Sequence, residues 1–380
     1  MKKKTSIAII GAGIIGASIA YNLAMKGERD VVVFDMGRAG GGSTAAALGG
    51  FRYQFSNELS VLLSKESVRV IDNFKDLTGY DPLVRHDGYS FIASQETSIR
   101  QLQKNMNLQK TLGVPVEFVS KEELQKRFPF YDFTGILGGT FCGADGHAST
   151  LAVHQGFVSK AKELGVEFYE NCEVDEIKIE SSVKGLIASN NIIQCAKVVI
   201  ASGAYSGLVG KLARIEIPIE PVPRRVLVTR SFTNGIPLDI PLLIDVDSTL
   251  ALGREGKGIL IGDNQNISPG FKLEFPPDHD ERLMSRAVEK VPALAEASIS
   301  YANQGLYEMT PDANPIVSAI PEVEGLYCCA GFAGHGFMHS PAIGRTMAEL
   351  LLEEKPHVDI SSLDISRFKG HSLEKEKLII

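Results

Sequence analysis

Residues 6 to 35, SIAIIGAGIIGASIAYNLAMKGERDVVVFD, constrain this chain more than any other stretch. The apolar run Ile7 to Ile10 leads into Gly11, Gly13 and Gly16. A helical pattern follows, and a second apolar run, Val31 to Phe34, ends on Asp35. The order is strand, glycine turn, helix, strand, acid. Gly11 permits the tight turn, Gly13 lets the backbone approach a pyrophosphate, and Gly16 lets the helix lie close to the strand. The helix N-terminus turns free N–H groups and its positive dipole end toward phosphate oxygens. Asp35, nineteen residues past Gly16, stands where a carboxylate accepts ribose hydroxyls. The segment predicts a dinucleotide-binding βαβ unit at the start of the chain.

MKKK before an apolar segment has the look of a secretory signal. The glycines, Ser18, Tyr21 and Asn22 interrupt it, and no small-residue cleavage site follows, so a cytoplasmic chain is expected. No run reaches the roughly 20 apolar residues of a membrane span. With 380 residues, 44% hydrophobic and 22% charged, the chain is long enough for two globular domains. A net charge of −7 and the lack of a basic patch with interleaved aromatics argue against nucleic acid as a partner. Five cysteines, Cys142, Cys172, Cys195, Cys328 and Cys329, show no CxxC and read as reduced, mostly core thiols. Neither HxxxH nor HExxH occurs, and no metal site is expected.

Periodicity predicts helices over 44–47, 57–77, 96–111, 121–127, 149–164, 205–213 and 279–290, the last stopped by Pro292. Ser43 and Thr44 are placed to cap the first of these. Strands are expected at 89–93, 166–168, 173–180, 183–188, 192–195 and 298–307, with long strands in 216–231 and 242–262. The unit LYCCAGFAGHGFMHSPAIGRTMAELLLEE reads as strand, glycine loop, helix, with Pro341 at a first helical position. The tail 361–380 is polar and expected to be loosely held. Strand-to-glycine junctions therefore recur at 10–16, 200–203 and 330–336. An NAD-binding domain closes within about 150 residues, yet here the first and third junctions lie near opposite ends of the chain. A longer cofactor, touched by both ends of the chain, fits better, and FAD is the natural candidate. The expected fold is α/β with an α+β second domain. A discontinuous Rossmann-like FAD domain comprises 1–80, 141–215 and 305–360. A substrate domain with a mixed or antiparallel sheet comprises 81–140 and 216–304.

The blocks GAGIIG at 11–16, GGSTAAALGGFRYQFS at 41–56, DGYSFIAS at 87–94, PVPRRVLVT at 221–229, YEMTPDANPIV at 307–317 and GFAGHGFMHSPAIGRTMAELL at 331–351 carry a resemblance. Together they resemble the D-amino-acid oxidase superfamily of flavoproteins, in its glycine/sarcosine oxidase branch. Within that branch the chain is most like the beta subunits of heterotetrameric sarcosine oxidase and archaeal proline dehydrogenase. The resemblance implies FAD held by Gly11, Gly13, Ile14, Ile15, Gly16, Asp35, Met36, Gly42, Ser43, Thr44, Leu48, Gly49 and Gly50. It extends that site to Val174, Ala201, Ser202, Gly203, Gly331, Gly334, His335, Gly336, Phe337 and Met338. It also implies oxidation of a C–N bond of a small amino acid or amine, by hydride transfer to flavin N5 and hydrolysis of the imine.

Two departures stand out. Monomeric sarcosine oxidases attach FAD through a cysteine where this chain has Gly305, so non-covalent FAD is expected. They hold the substrate carboxylate with a lysine where this chain has Met338. Arg52, after the Gly49–Gly50 turn, is the first candidate for a replacement cation, followed by Arg254 and by one of the adjacent pair Arg224 and Arg225. His335, flanked by glycines, and Tyr307 are expected near flavin or substrate, and Asp312 and Asn314 in an Asx turn. His147 falls near the histidine that carries a covalent FMN in the heterotetrameric enzymes. With one complete GxGxxG, electrons are expected to enter from substrate and leave to oxygen, a quinone or a partner subunit, with hetero-oligomeric partners possible. A D-amino-acid or glycine dehydrogenase or oxidase is the near alternative. A flavin-binding subunit without turnover of its own is the alternative of another class.

Overall fold

The apolar runs pair into a six-stranded sheet in the computed structural model, which describes residues 1–264, 267–370, 375, 376 and 378. The strand order is Ile316–Ala319, Leu326–Ala330, Lys197–Ile200, Ile7–Ile10, Val31–Phe34, Glu167–Tyr169. Every pairing is parallel except Ile316–Ala319 with Leu326–Ala330. Ile7–Ile10, Val31–Phe34 and Leu326–Ala330 are buried at every residue, as parallel strands covered on both faces must be. Alternation divides them cleanly. Ile7, Ile9, Val31, Val33 and Cys329 join the core beneath the helices Ile14–Met25, Glu58–Asp72, Thr150–Glu163 and Gly336–Leu351. Ala8, Ile10, Val32, Phe34 and Cys328 join the core beneath a three-stranded sheet, Asn191–Gln194, Val183–Ala188, Val174–Ile179.

An eight-stranded sheet has the order Ile299–Met309, Glu220–Thr229, Gly258–Gly262, Ala251–Glu255, Leu242–Asp245, Tyr89–Ala93, Gly138–Cys142, Val116–Ser120. Leu227, Leu252 and Ile261 form one core with Leu283 and Ala287 of the helix His279–Lys290. Tyr89, Phe91, Ile244 and Ala251 form another, with Leu102 and Leu378. The boundaries expected at 140 and 304 fall inside the strands Gly138–Cys142 and Ile299–Met309. No helix among the described residues is long and apolar enough to cross a membrane.

Several local expectations give way to tertiary contacts. The helix 57–77 stops at Asp72, resumes as Phe74–Thr78, and ends on Gly79 at φ 84°. Ser43 and Thr44 do not cap the helix Ser43–Ala46, whose N-cap is Gly42. Ser43 Oγ donates instead to the Leu306 carbonyl at 2.7 Å, and Thr44 Oγ1 accepts the Ile14 N–H at 3.0 Å. Segment 242–262 is three short strands rather than long ones. Pro341 lies inside the helix Gly336–Leu351, not at its start. The Ser340 hydroxyl donates to the Phe337 carbonyl at 2.8 Å, which replaces the N–H that proline lacks. The tail is not loose in its described part. Ser361–Leu363 and Ile365–Lys369 form 3-10 turns, Arg367 Nε donates to Asp312 Oδ2 at 2.8 Å, and Glu376 and Leu378 are buried.

The helices Ile14–Met25 and Gly336–Leu351 cross at very close range. Ser18 Oγ donates to the Ser340 carbonyl at 2.7 Å, and a Cβ on Gly344 would stand 2.6 Å from Ser18 Cβ. Gly344→Ala is expected to destabilise the chain by about 1–3 kcal/mol through overpacking. Ser18→Gly added to it should not restore the loss, because the Cβ would still stand 2.7 Å from the Ser18 backbone carbon. Urea unfolding of both variants checks this, and a double variant as stable as the unsubstituted chain would contradict it.

Candidate active site

The parallel strands deliver their carboxyl ends to one edge of the sheet, the place where such sheets bind ligands. Gly11 has φ 111°, and a Cβ there would stand 2.8 Å from the Ala201 carbonyl carbon. Only glycine lets the strands Ile7–Ile10 and Lys197–Ile200 turn side by side. The helix Ile14–Met25 begins at Gly13 with no side-chain cap, so its first turn keeps N–H groups for a ligand. Thr44 Oγ1 sits at that same turn. Asp35 accepts the Ala12 N–H on Oδ2 and the Gly37 N–H on Oδ1, both at 2.8 Å. This fixes its carboxylate beside the glycine turn, with lone pairs left for hydroxyl donors. Gly203, Gly331 and Gly334 have φ of 54°, 87° and 90°, and Ser202 lies next to Gly203. This bare backbone edge, with an open helix N-terminus and a carboxylate beside it, fits an adenine dinucleotide. Of the remaining expected contacts, Ile14, Ile15, Phe337 and Met338 are buried in the core beneath the helices and Val174 in the core on the other face. Met36 is exposed, and Leu48 is half-buried beside Gly49.

Arg52 is the largest fully buried side chain among those described. The strand Gly50–Phe51 pairs with Gly146–His147, and a Cβ on Gly50 would collide with the Tyr89 hydroxyl, so the turn presses against the eight-stranded sheet. The guanidinium lies 4.1 Å from the Phe55 ring centroid and 5.3 Å from that of Phe91. It donates to the carbonyls of Gln54 and Leu378, and its Nη2 stands 3.0 Å from His335 Nε2. A guanidinium only donates, so His335 Nε2 accepts and the ring carries its proton on Nδ1. Burial, with Arg52 and His339 nearby, pulls His335 well below its ordinary value and leaves it neutral. Burial also lowers Arg52, against the carboxylates of Glu376 and Asp145 that favour its charge. Tyr307 packs its ring on Gly334, where a Cβ would stand 2.5 Å away, and Arg224 lies 5.2 Å from the ring centroid. Arg52, His335 and Tyr307 thus come together beside the third glycine loop.

Arg254 does not join them. Its fork donates to the carbonyls of Phe232, Ile236, Pro237 and Lys257, and strand alternation sets it with Leu252, on the face away from Tyr89 and Phe91. Arg224 and Arg225 diverge as adjacent strand residues do. Arg224 turns toward Tyr307, and Arg225 forms a bidentate pair with Asp280. His147 lies tilted against Tyr89, with ring centroids 5.5 Å apart, and burial lowers it to about 4. Asp312 accepts the Asn314 N–H at 3.1 Å, the expected Asx turn, and also pairs with Arg367. All five cysteines are free and buried, and no group of His, Cys, Asp or Glu among the described residues could hold a metal.

Sequence reasoning missed three carboxyl groups. Asp145 is completely buried and accepts the Tyr53 N–H at 2.7 Å and Gln54 Nε2 at 2.8 Å, which fixes the backbone on which Arg52 stands. Glu376 accepts Asn57 Nδ2 at 2.6 Å and the Ser56 N–H at 3.2 Å, and so seats the tail beside Arg52. Glu308 accepts the Gly331 N–H at 2.9 Å. Each looked like an ordinary acid in sequence; only the EM after Tyr307 in YEMTPD, an acid on an otherwise apolar strand end, marked Glu308.

A family model described as DAO, FAD dependent oxidoreductase, matches residues 6–350. The 4-methylaminobutanoate oxidase (formaldehyde-forming) of Paenarthrobacter nicotinovorans is 25% identical over 97% of this chain, which spans only 46% of that protein's length. Sarcosine oxidase subunit beta of Arthrobacter sp is 26% identical, with 98% of this chain and 94% of that one covered. The crystal structure of L-proline dehydrogenase from P. horikoshii superposes with a TM-score of 0.92 at 30% identity, over 98% of this chain and all of the other.

Asp145 and Glu308 are each pushed up to about 7 by burial, against the hydrogen bonds they accept. Unfolded, both release their protons near the ordinary value of about 4. Between these values the folded chain holds protons that the unfolded chain has lost. The associated stability is complete below about pH 4 and disappears as pH rises through about 7. The buried neutral histidines act in the opposite sense over the same range, so the expected effect of Asp145→Asn is on the slope: from pH 5 to pH 8 its Tm should fall less, or rise more, than that of the unsubstituted chain. An unchanged slope would contradict the assignment.

Proposed function

Because the chain belongs to the DAO family of FAD dependent oxidoreductases, we propose that it oxidises a C–N bond in a small, carboxylate-bearing amino acid or secondary amine such as proline or sarcosine. The observation that carries this reading is Arg52, a buried guanidinium against the Phe55 and Phe91 rings, with His335 at its fork beside the third glycine loop. At a buried position a fixed cation binds carboxylate more strongly than it would in water. Its present acceptors, the Gln54 and Leu378 carbonyls, are the same oxygen chemistry without the charge. The relatives named for sarcosine, proline and 4-methylaminobutanoate support a substrate with nitrogen next to the oxidised carbon.

FAD, when bound, supplies the acceptor for the hydride that leaves the carbon beside nitrogen. Asp35, the first turn of Ile14–Met25 with Thr44, and the loops at Gly203 and Gly331 would hold it. It is held without a covalent bond in this reading. Gly305 offers no side chain, and a Cβ there would stand 2.7 Å from Ala46 Cβ. Arg52 grips the carboxylate, His335 keeps the guanidinium oriented by accepting from Nη2, and the Tyr307 ring walls the site. Neutral His335 adds no second positive charge against the substrate amine. Arg224, turned toward Tyr307, extends the positive field at the entrance to this wall. The relative named as a subunit beta supports partner subunits, and unpaired thiols suit the cytoplasm.

Anaerobic mixing with L-proline, sarcosine and D-amino acids should bleach the bound yellow flavin with at least one of them. Arg52→Lys should raise KM for that substrate about tenfold or more, by loss of a charged bidentate contact. Turnover of an amine without a carboxylate should change little. Failure of every amino acid to bleach the flavin would leave a flavin-holding subunit without turnover of its own.

A further inference from the structure

Along the sheet edge the strands Val31–Phe34, Ile7–Ile10, Lys197–Ile200 and Leu326–Ala330 follow one another, and each ends in a different chemistry. After Phe34 comes Asp35, suited to ribose hydroxyls. After Ile10 comes the open first turn of Ile14–Met25, suited to pyrophosphate. After Ile200 and Ala330 come the loops of Gly203 and Gly331, and beyond these stand His335 and Arg52. FAD carries its groups in the same order: adenosine ribose, pyrophosphate, ribityl chain, isoalloxazine. Adjacent strands stand about 4.8 Å apart, so the Gly331 loop lies roughly 14 Å from Asp35, with the pyrophosphate place in between.

Glu308 reaches this third place from the end of the strand Ile299–Met309. Its Oε2 accepts the Gly331 N–H at 2.9 Å and stands 3.7 Å from where a Cβ on Gly203 would be. Its Oε1 stands 3.9 Å from where a Cβ on Gly336 would be. One half-buried carboxyl group thus borders both loops and the start of the helix Gly336–Leu351. No Lys, Arg or His among the described residues forms an ion pair with it. The Phe332 N–H also favours its ionised form, and a carboxylate with these two donors still has lone pairs for more. Phosphate oxygens repel it. FAD offers hydroxyl donors on two polyols, and Asp35 takes the first.

We infer that Glu308 is a cofactor-binding residue, whose carboxylate accepts hydrogen bonds from hydroxyls of the ribityl chain of FAD. This rests on FAD as the cofactor and on nothing about the substrate. The titratable groups near Glu308 are few. The Cys328 and Cys329 thiols are driven far up by burial and stay neutral. Tyr307 alternates to the opposite face, toward Arg224 and Arg52. His335, ahead of the helix, is engaged by Arg52, and Tyr205, on the Gly203 turn, lies against Phe271 at 4.8 Å. Burial brings Glu308 itself up to about 7. Hydroxyl donors favour its ionised form, so FAD binding should tighten as pH rises through about 7.

Calorimetry on flavin-stripped protein tests this with FAD and with ADP, which has the ribose and pyrophosphate but no ribityl chain. For the unsubstituted chain, FAD should tighten between about pH 6 and pH 8.5, while ADP, whose terminal phosphate titrates in that window, serves as the affinity control at one fixed pH. Glu308→Gln should weaken FAD about tenfold, spare ADP, and remove the pH dependence. Glu308→Asp should weaken FAD but keep the pH dependence. FAD affinity that stays level or weakens as pH rises would overturn the assignment without need of any variant. Binding of ADP with no binding of FAD would overturn the cofactor and this inference together.

Discussion

Two backbone segments touch at Gly11 and Ala201, and most of the site depends on that contact. A side chain on Gly11 would occupy the space of the Ala201 carbonyl, so glycine alone lets these strands turn together at the sheet edge. Gly16 repeats the device one turn later, because a Cβ there would collide with the Gly11 carbonyl. The helix Ile14–Met25 is thereby pulled down onto its own strand, with its open end over the edge. The same helix meets Gly336–Leu351 through Ser18 and Gly344, which brings the third glycine loop to the same place. Close packing of this kind tolerates little volume change, so positions far apart in the chain act as one unit.

Charge in this molecule is placed by burial and then used according to its acceptors. Arg52 and Arg254 are both buried arginines. Arg254 is saturated by four carbonyls of surrounding turns and holds a loop together. Arg52 lies between aromatic rings beside the third glycine loop, with two carbonyls and a neutral histidine as partners. The carboxyl groups divide in a similar way. Asp145 secures the Arg52 turn through Tyr53 and Gln54, Asp35 joins the first two loops, and Glu308 lies at the meeting of the other two. Low local dielectric makes each placement consequential.

Helices with strong periodicity were legible in sequence, Glu96–Thr111 and His279–Lys290 to the residue. Those misread failed where a distant partner outweighed a local rule. Ser43 and Thr44 have the chemistry of caps, but Leu306 and Ile14 claim their hydroxyls. Pro341 has the chemistry of a helix start, but the helix begins earlier because Ser340 can satisfy the carbonyl that proline leaves open. The polar tail has the composition of a loose end, but Asn57, Ser56 and Arg52 hold Glu376 and Leu378.

By itself the sequence determined the parallel sheet, the three glycine junctions and the dinucleotide site, because these depend on local requirements: apolar period, absent side chains, a carboxylate at fixed spacing. It also placed Arg52 near the glycine loops, since a turn of two glycines carries the next residue inward. Only the tertiary structure decided which arginine lies beside the third glycine loop, which tautomer His335 holds, and where Glu308, Asp145 and the tail come to rest. Those outcomes turn on burial and on partners hundreds of residues away, and no window of sequence contains both sides of such a contact.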